Sequence, residues 1–393
     1  MQTQAIITVV NSFSPTSIEF YEFLLYRARH FKNERHYFLV LGPVGEKFVL
    51  ESQKLVEQQD VTIIECGGKY RKFIRKFFDI SSELKRQMMP ALLHVHMGRS
   101  GVLALLLNLM KGFKKWPSLY TLHTLFNGCR WQAKIPAVII FLLVGKPVCV
   151  SKSAYNALPC FIRWLRKKRL EVVLNGVDID WIDQTIEKIS PGKQSNHNKE
   201  ESLEKNGVTL LNVGRLDGAK NQSYLLEILE QLPENVKLEI VGEGALRNVL
   251  ERQIIQRQLS SRVTLTGMLP REDVFKKMLQ ADIFVSSSIR EGLPIAVLEA
   301  MACRLPVLLS DIGPHQEIKD KGSSVILLPF NTSEWVKCVM DFISGLQIQQ
   351  VELGKQNRDI VQSYFTLKLM HQGYTSNYEY LWDISKKKLR LKG

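Results

Sequence analysis

Residues 282–301 read Asp-Ile-Phe-Val-Ser-Ser-Ser-Ile-Arg-Glu-Gly-Leu-Pro-Ile-Ala-Val-Leu-Glu-Ala-Met. The run Ile283-Phe284-Val285 is short and wholly apolar, as expected of a strand covered on both faces. Three serines follow, then Glu291-Gly292-Leu293-Pro294, then a helical pattern from about Pro294 to Met301. Proline suits a first helical turn, where no amide donor is needed, and Gly292 lets backbone come close to a ligand. The stretch is one strand–loop–helix unit of a parallel sheet. The amides of such a helix start, together with the macrodipole, favour an anion at the strand's carboxyl end. Glu291 stands at the loop tip. Glu299 lies eight positions on, about two turns, and so can share its side. A carboxylate accepts two hydroxyl hydrogen bonds, which suits a sugar. The plainer readings are a dipole-stabilising carboxylate for Glu291 and a solvated helix charge for Glu299.

Outward from this unit the same rhythm repeats. Strands are expected at Thr209–Val213, Lys237–Val241, Val263–Thr266, Ile283–Ser286, Pro306–Leu309 and Val325–Leu328, with helices between. An earlier series runs through the N-terminal stretch up to Asn11, then Tyr37–Gly42, Val61–Ile64, Leu92–His96, Pro147–Ser151 and Val172–Leu174. The polar stretch Ser190–Asn206 between the two series has no periodicity and reads as a surface loop or linker. Two βα series in 393 residues predict two Rossmann-like, doubly wound α/β domains facing across a cleft. Residues 1–175, with about 374–393 returning as a C-terminal helix, would form the acceptor-side domain, and residues 176–373 the donor-binding domain. In the returning segment, Tyr374, Tyr378, Leu381 and Trp382 are spaced to pack on the first domain.

A second chemical element opens the later series: Asn212-Val213-Gly214-Arg215-Leu216-Asp217-Gly218-Ala219-Lys220. Arg215 and Lys220 converging at a strand's carboxyl end would neutralise a diphosphate; the bland reading is two surface cations beside a turn. Val241-Gly242-Glu243-Gly244 repeats the strand-then-glycine theme, a weak signal alone. Asp178-Ile179-Asp180 follows Asn175-Gly176-Val177 and reads as a turn and helix cap rather than a metal site, so no metal is expected.

Taken in order, Arg215 with Lys220, Val241–Gly244, Thr266-Gly267 and Glu291-x7-Glu299 resemble the motif series of the retaining GT-B glycosyltransferases, the large group-1 or family-four set. His94-Val95-His96, Leu122-His123-Thr124, Val150-Ser151 and Asn175–Asp178 fall in the matching order in the first half. The resemblance is strong over about 205–320 and weaker before it. It implies that Arg215 and Lys220, beside Gly214, hold the donor diphosphate, and that Glu299 binds the nucleotide ribose. It implies that Glu291 and the backbone of Gly292, Leu293 and Pro294 bind the donor sugar. Gly242 would line the site, backbone at Gly267, Met268 and Leu269 would meet the base, and His123 would reach the reacting carbon. The implied catalytic set is His123, Glu291, Arg215 and Lys220. The co-substrate would be a UDP- or GDP-sugar, with no other cofactor, and the reaction a retaining, metal-independent hexosyl transfer. The acceptor would be a glycan or a lipid-linked sugar in polysaccharide, lipopolysaccharide or glycolipid synthesis. One departure stands out: Val10–Ser17 carries no glycine where many members have a glycine-rich first loop.

Composition narrows the setting. Net charge is +14, which fits nucleic acid, an anionic membrane or a phosphate-bearing substrate. No nucleic-acid motif appears. Residues 69–78, Lys-Tyr-Arg-Lys-Phe-Ile-Arg-Lys-Phe-Phe, and 161–169, Phe-Ile-Arg-Trp-Leu-Arg-Lys-Lys-Arg, read as basic amphipathic helices suited to an anionic membrane. The alternative is that their aromatics pack on the sheet and their cations are solvated. The apolar stretch Ile135–Val150 is interrupted by Pro136, Lys146 and Pro147 and reads as a buried helix followed by a strand, too short to span. The N-terminus lacks a basic leader and a cleavage site. Six cysteines without a Cys-x-x-Cys pair argue for buried or half-buried thiols in a reducing compartment. The expectation is a cytoplasmic protein, peripheral on the cytoplasmic face of a membrane. The competing reading, a catalytically silent GT-B partner subunit, is disfavoured because Arg215, Lys220, Glu291 and Glu299 are all present.

Overall fold

In the computed structural model the described residues are 3–11, 26–27, 30–31, 33–42, 61–96, 98–110, 116–128, 131–189, 207–344 and 347–390. The expected linker Ser190–Asn206 and the loop 12–17 lie outside them. The chain divides into two units, residues 1–174 with 370–393, and residues 175–369.

Among the described residues the first unit holds seven parallel strands: β1 Gln4–Val10, β2 Glu34–Val40, β3 Val61–Glu65, β4 Ala91–His96, β5 Ser118–Leu122, β6 Lys146–Cys149 and β7 Glu171–Val172. Their order is β3-β2-β1-β4-β5-β6-β7. The helices are α1 Tyr70–Arg86, α2 Arg99–Leu109, α3 Trp131–Leu143, α4 Lys152–Asn156 and α5 Cys160–Arg166. Strands β1 and β4 are buried along almost their whole length, which is why they read as largely apolar runs, broken only by Thr8 in β1 after its first residue and by His94 and His96 in β4. β5 escaped the sequence reading because Ser118, Tyr120 and Thr121 interrupt its apolar pattern, yet all five of its residues are buried.

Helix α1 resolves the reading of 69–78. Phe73, Phe77, Ile80 and Leu84 recur every three or four residues and lie in the first unit's core. Each such burial is worth roughly 1.5–3 kcal/mol, so Phe73 and Phe77 belong to the core, while Tyr70 and Phe78 of the same helix stay exposed. The expectation of a buried helix in 135–150 is corrected on one face. Ala137, Ile140 and Phe141 of α3 are buried, but Ile135, Ile139, Leu142 and Leu143 are exposed. The expectation of buried or half-buried thiols holds for Cys66, Cys149, Cys303 and Cys338 but not for the exposed Cys160, and Cys129 lies outside the described residues.

The second unit has, among its described residues, six parallel strands: β8 Val208–Val213, β9 Val236–Val241, β10 Val263–Gly267, β11 Ile283–Ser286, β12 Val307–Ser310 and β13 Ile326–Leu328, in the order β10-β9-β8-β11-β12-β13. Its helices are α6 Ile179–Ile189, α7 Gln222–Glu230, α8 Arg247–Gln256, α9 Arg271–Gln280, α10 Ile295–Ala302, α11 Gly313–Lys319, α12 Thr332–Ser344 and α13 Gln347–Tyr364. Asp178 caps α6, its Oδ1 accepting from the Trp181 amide at 3.1 Å. Pro294 is the N-cap of α10 rather than its first residue. Residues 175–177 are tied to the 365–367 segment by the bridge Val177–Thr366.

Helix α14, Leu367–Arg390, runs from the end of the second unit into the first. Tyr374, Tyr378, Leu381 and Trp382 are all buried. The Tyr378 hydroxyl lies 2.8 Å from His94 Nδ1, and the Tyr374 hydroxyl 3.1 Å from Thr121 Oγ1.

Candidate active site

In an open parallel sheet the chain runs away in opposite directions from two neighbouring strands, leaving a crevice at their carboxyl ends. In the second unit those strands are β8 and β11. The loop after β8 carries Gly214, Arg215 and Lys220; the loop after β11 carries Ser287, Ser288 and Glu291.

The two loops are stitched together. The Ile289 amide donates to Ala219 O at 2.8 Å, and Ser287 Oγ donates to Asn221 O at 2.8 Å. Lys220 Nζ then donates to Glu291 Oε1 at 2.6 Å, and Ser288 Oγ donates to the same oxygen at 2.7 Å. Burial pushes the Glu291 carboxyl upward, but the Lys220 charge and the Lys220 and Ser288 hydrogen bonds more than offset it, leaving it below its ordinary value. Ser310 Oγ donates to Ser288 O at 2.5 Å, and His315 Nδ1 sits 2.7 Å from Ser310 O. Gly292, Leu293 and Pro294 are buried, and Asn175 Nδ2 donates to Leu293 O at 3.0 Å.

Glycine sets how closely the strand ends approach. A β-carbon on Gly242, where φ is +141°, would stand 2.0 Å from Gly214 O, inside any tolerable contact. A β-carbon on Gly214 would press on Lys220 Cε at 3.1 Å, so the bare α-carbon gives the lysine stem its path to Glu291. The Gly242 amide donates to Gly267 O at 2.9 Å, joining the β9 and β10 ends.

Arg215 and Glu299 stand apart from this cluster. The Arg215 side chain is 63% exposed and lies 3.6 Å from Asp217. Glu299 is buried on α10 in an ion pair with Arg271 Nη2 at 2.7 Å. The Arg271 guanidinium lies over the Trp181 and Phe275 rings. Glu299 is thus no solvated helix charge: its partner begins the helix after Gly267-Met268-Leu269, of which Met268 is exposed and Leu269 half-buried.

In the first unit His123 follows β5, and its Nε2 is 2.8 Å from His96 Nδ1 at the end of β4. Burial lowers the His123 pKa to about 4, so the ring is neutral at pH 7. His94 is a satisfied core histidine, with Nε2 2.9 Å from Thr121 Oγ1 and Nδ1 on Tyr378. The glycine-free start of the chain has a local counterpart. Asn11 Oδ1 accepts from the Ser100 amide at 3.2 Å and from Ser100 Oγ at 2.7 Å, at the start of α2. Gly98 (φ +128°) admits that side chain: a β-carbon there would lie 1.8 Å from Asn11 Nδ2. The close approach comes from a glycine after β4 rather than after β1.

Ser288, Ser310, His315, Arg271 and His96 as a partner of His123 were beyond the sequence reading. The polar run after β11 was a visible signal for Ser288. The others act through contacts between distant segments.

Comparison with known proteins agrees with this geometry. The family model "Glycosyl transferases group 1" matches residues 193–359. An uncharacterized glycosyltransferase of Methanocaldococcus jannaschii is 33% identical over 38% of this chain and 36% of its own length. The Escherichia coli UDP-Gal:alpha-D-GlcNAc-diphosphoundecaprenol alpha-1,3-galactosyltransferase is 33% identical over 37% of each chain. The chain therefore spans little more than a third of the length of these curated relatives. The crystal structure of Anabaena HepE with UDP and glucose superposes with a TM-score of 0.74 at 18% identity, covering 96% of this chain and 100% of that one. The chain resembles the group 1 glycosyl transferases, matches their model through most of its second unit, and shares the GT-B fold of two parallel-sheet α/β domains.

Proposed function

We propose that the chain is a retaining glycosyltransferase that moves a hexosyl group from a UDP- or GDP-sugar to a glycan or lipid-linked acceptor in polysaccharide or glycolipid synthesis. The observation that carries this reading is the Lys220–Glu291–Ser288 cluster at the β8/β11 crevice, beside the start of α10. A cation, a largely buried carboxylate and a helix start together suit a sugar diphosphate. The relative acting on a diphosphoundecaprenol-linked sugar and the neighbour holding UDP and glucose support the same substrate classes.

In this reading Arg215 and Lys220 bind the diphosphate and stabilise its charge as the sugar–phosphate bond breaks. Glu291 and the backbone of 292–294 hold the sugar hydroxyls, Glu299 the ribose, and 267–269 the base. The acceptor oxygen attacks from the face the phosphate leaves, and the departing phosphate takes its proton. His123, neutral at pH 7, serves as a hydrogen-bonding group beside the reacting carbon. Positioning and electrostatics carry the catalysis, with no metal or cofactor beyond the donor. The site of work is the cytoplasmic face of an anionic membrane.

Thermal unfolding with a panel of UDP- and GDP-sugars tests the donor site. One donor class is expected to raise the midpoint in the wild type and to lose that effect in Lys220→Ala. A panel in which no nucleotide sugar shifts the midpoint refutes the reading.

A further inference from the structure

We propose that the outer face of α2, α3 and α5 inserts shallowly into an anionic lipid bilayer. This rests on the membrane reading above and gives it a surface.

Helix α3 reads Trp-Gln-Ala-Lys-Ile-Pro-Ala-Val-Ile-Ile-Phe-Leu-Leu, with Lys134 as its one charge. A helix on a water-facing layer is normally apolar on one side and polar on the other. This one is apolar all round: its inner side joins the sheet's core, while Ile135 is 56% exposed and Ile139, Leu142 and Leu143 are also exposed. Its neighbours continue the face. α2 packs on α3 and presents Leu106 and Leu109, followed by Met110; α5 also packs on α3 and presents Phe161, Leu165 and Trp164, the last 79% exposed. Scattered exposed apolar residues are ordinary, but a set spread over three packed helices marks a binding surface.

Charge selects the partner. From Leu84 to Leu170 the chain carries fifteen Lys and Arg and no Asp or Glu, although acids make up about one residue in ten overall. That segment accounts for the whole net charge of +14 and leaves the rest of the chain close to neutral. It contains α2, α3 and α5. Exposed Lys167, Lys168 and Arg169 follow directly on the α5 aromatics. An apolar face with an exposed tryptophan, on a segment rich in cations and without an acid of its own, matches the boundary between acyl chains and anionic headgroups. α1 differs: Phe73 and Phe77 are spent on the core, and it carries Asp79 and Glu83. Among the described residues no helix is long and apolar enough to cross a membrane, so the face lies on the bilayer.

The test uses the full chain with vesicles of equal parts phosphatidylglycerol and phosphatidylcholine. Wild type is expected to co-sediment and to keep a bound fraction at about 0.5 M salt, where exposed charges are screened within a few ångströms. Brominated acyl chains should quench tryptophan emission in wild type and not in Trp164→Phe. Ile139→Glu with Leu142→Glu, both at exposed positions, should melt like wild type and bind about tenfold more weakly or less. Co-sedimentation with no loss in that variant and no Trp164 quenching overturns the assigned face while leaving the membrane reading intact. Absence of vesicle binding overturns both. A vesicle-free dimer dispersed by the same variant overturns the proposal in favour of an interface between copies.

Discussion

Lys220 Nζ and Glu291 Oε1 stand 2.6 Å apart, joining loops separated by 71 positions in the sequence, and both side chains are largely withdrawn from solvent. Removing one partner of such a pair leaves the other charge buried and costs about 3–5 kcal/mol, whereas removing both costs less. Lys220→Ala is therefore expected to lower the urea midpoint strongly. The double variant Lys220→Met with Glu291→Gln should recover part of the loss. Additive effects of the two changes would contradict the coupling.

Arg215 provides the contrast. Its side chain is mostly in solvent, so Arg215→Ala is expected to leave the melting temperature unchanged. In the proposed role its loss lowers kcat/KM about 10²–10³-fold, the scale of one missing electrostatic donor. Unchanged transfer kinetics with the best donor would remove Arg215 from the diphosphate site.

Gly242→Ala sets a β-carbon 2.0 Å from Gly214 O, at a backbone angle that side chains rarely adopt, whereas a β-carbon on Gly218 meets nothing within 4 Å. The first change is expected to cost on the order of 2–4 kcal/mol and to abolish stabilisation by nucleotide sugar. Gly218→Ala should stay within about 0.5 kcal/mol of wild type. Chemical denaturation of the two variants checks the difference.

The buried imidazoles fix an acid limit. Burial lowers His123 to about 4, and burial together with neighbouring positive charge holds His94, His96 and His371 well below their ordinary value. The unfolded chain binds protons near pH 6.5 that the fold does not. Stability is thus complete at neutral pH and falls as pH drops from about 6.5 towards 4. Glu34 adds loss in the same direction at lower pH. Burial raises its carboxyl, but the His36 hydrogen bond and the Arg27 charge more than offset this, so its contribution disappears as pH falls through its lowered pKa. A urea midpoint that stays flat between about pH 7 and 4.5 would contradict neutral burial of these rings.

The strand series and the helix start at 294–295 were legible in the sequence because apolar runs and proline–glycine punctuation are local signals. So were Gly214, Gly242 and, as separate candidates, Lys220 and Glu291, which lie in the loops just past strands. Residues 69–78 and 161–169 show the limit of that reading: their compositions are alike, yet Phe73 and Phe77 are in the core while Phe161 and Trp164 face outward. Composition gives a helix an apolar side, and only its neighbours decide where that side goes. By itself the sequence determined the two βα series, the order of the motifs and the acid-free stretch from 84 to 170, since each is a property of residues close along the chain. Tertiary structure alone decided that Lys220 meets Glu291, that Glu299 pairs with Arg271, that His96 holds His123, and that α3 turns an apolar face to solvent. Each of these depends on which segments, far apart in the chain, the two sheets bring side by side.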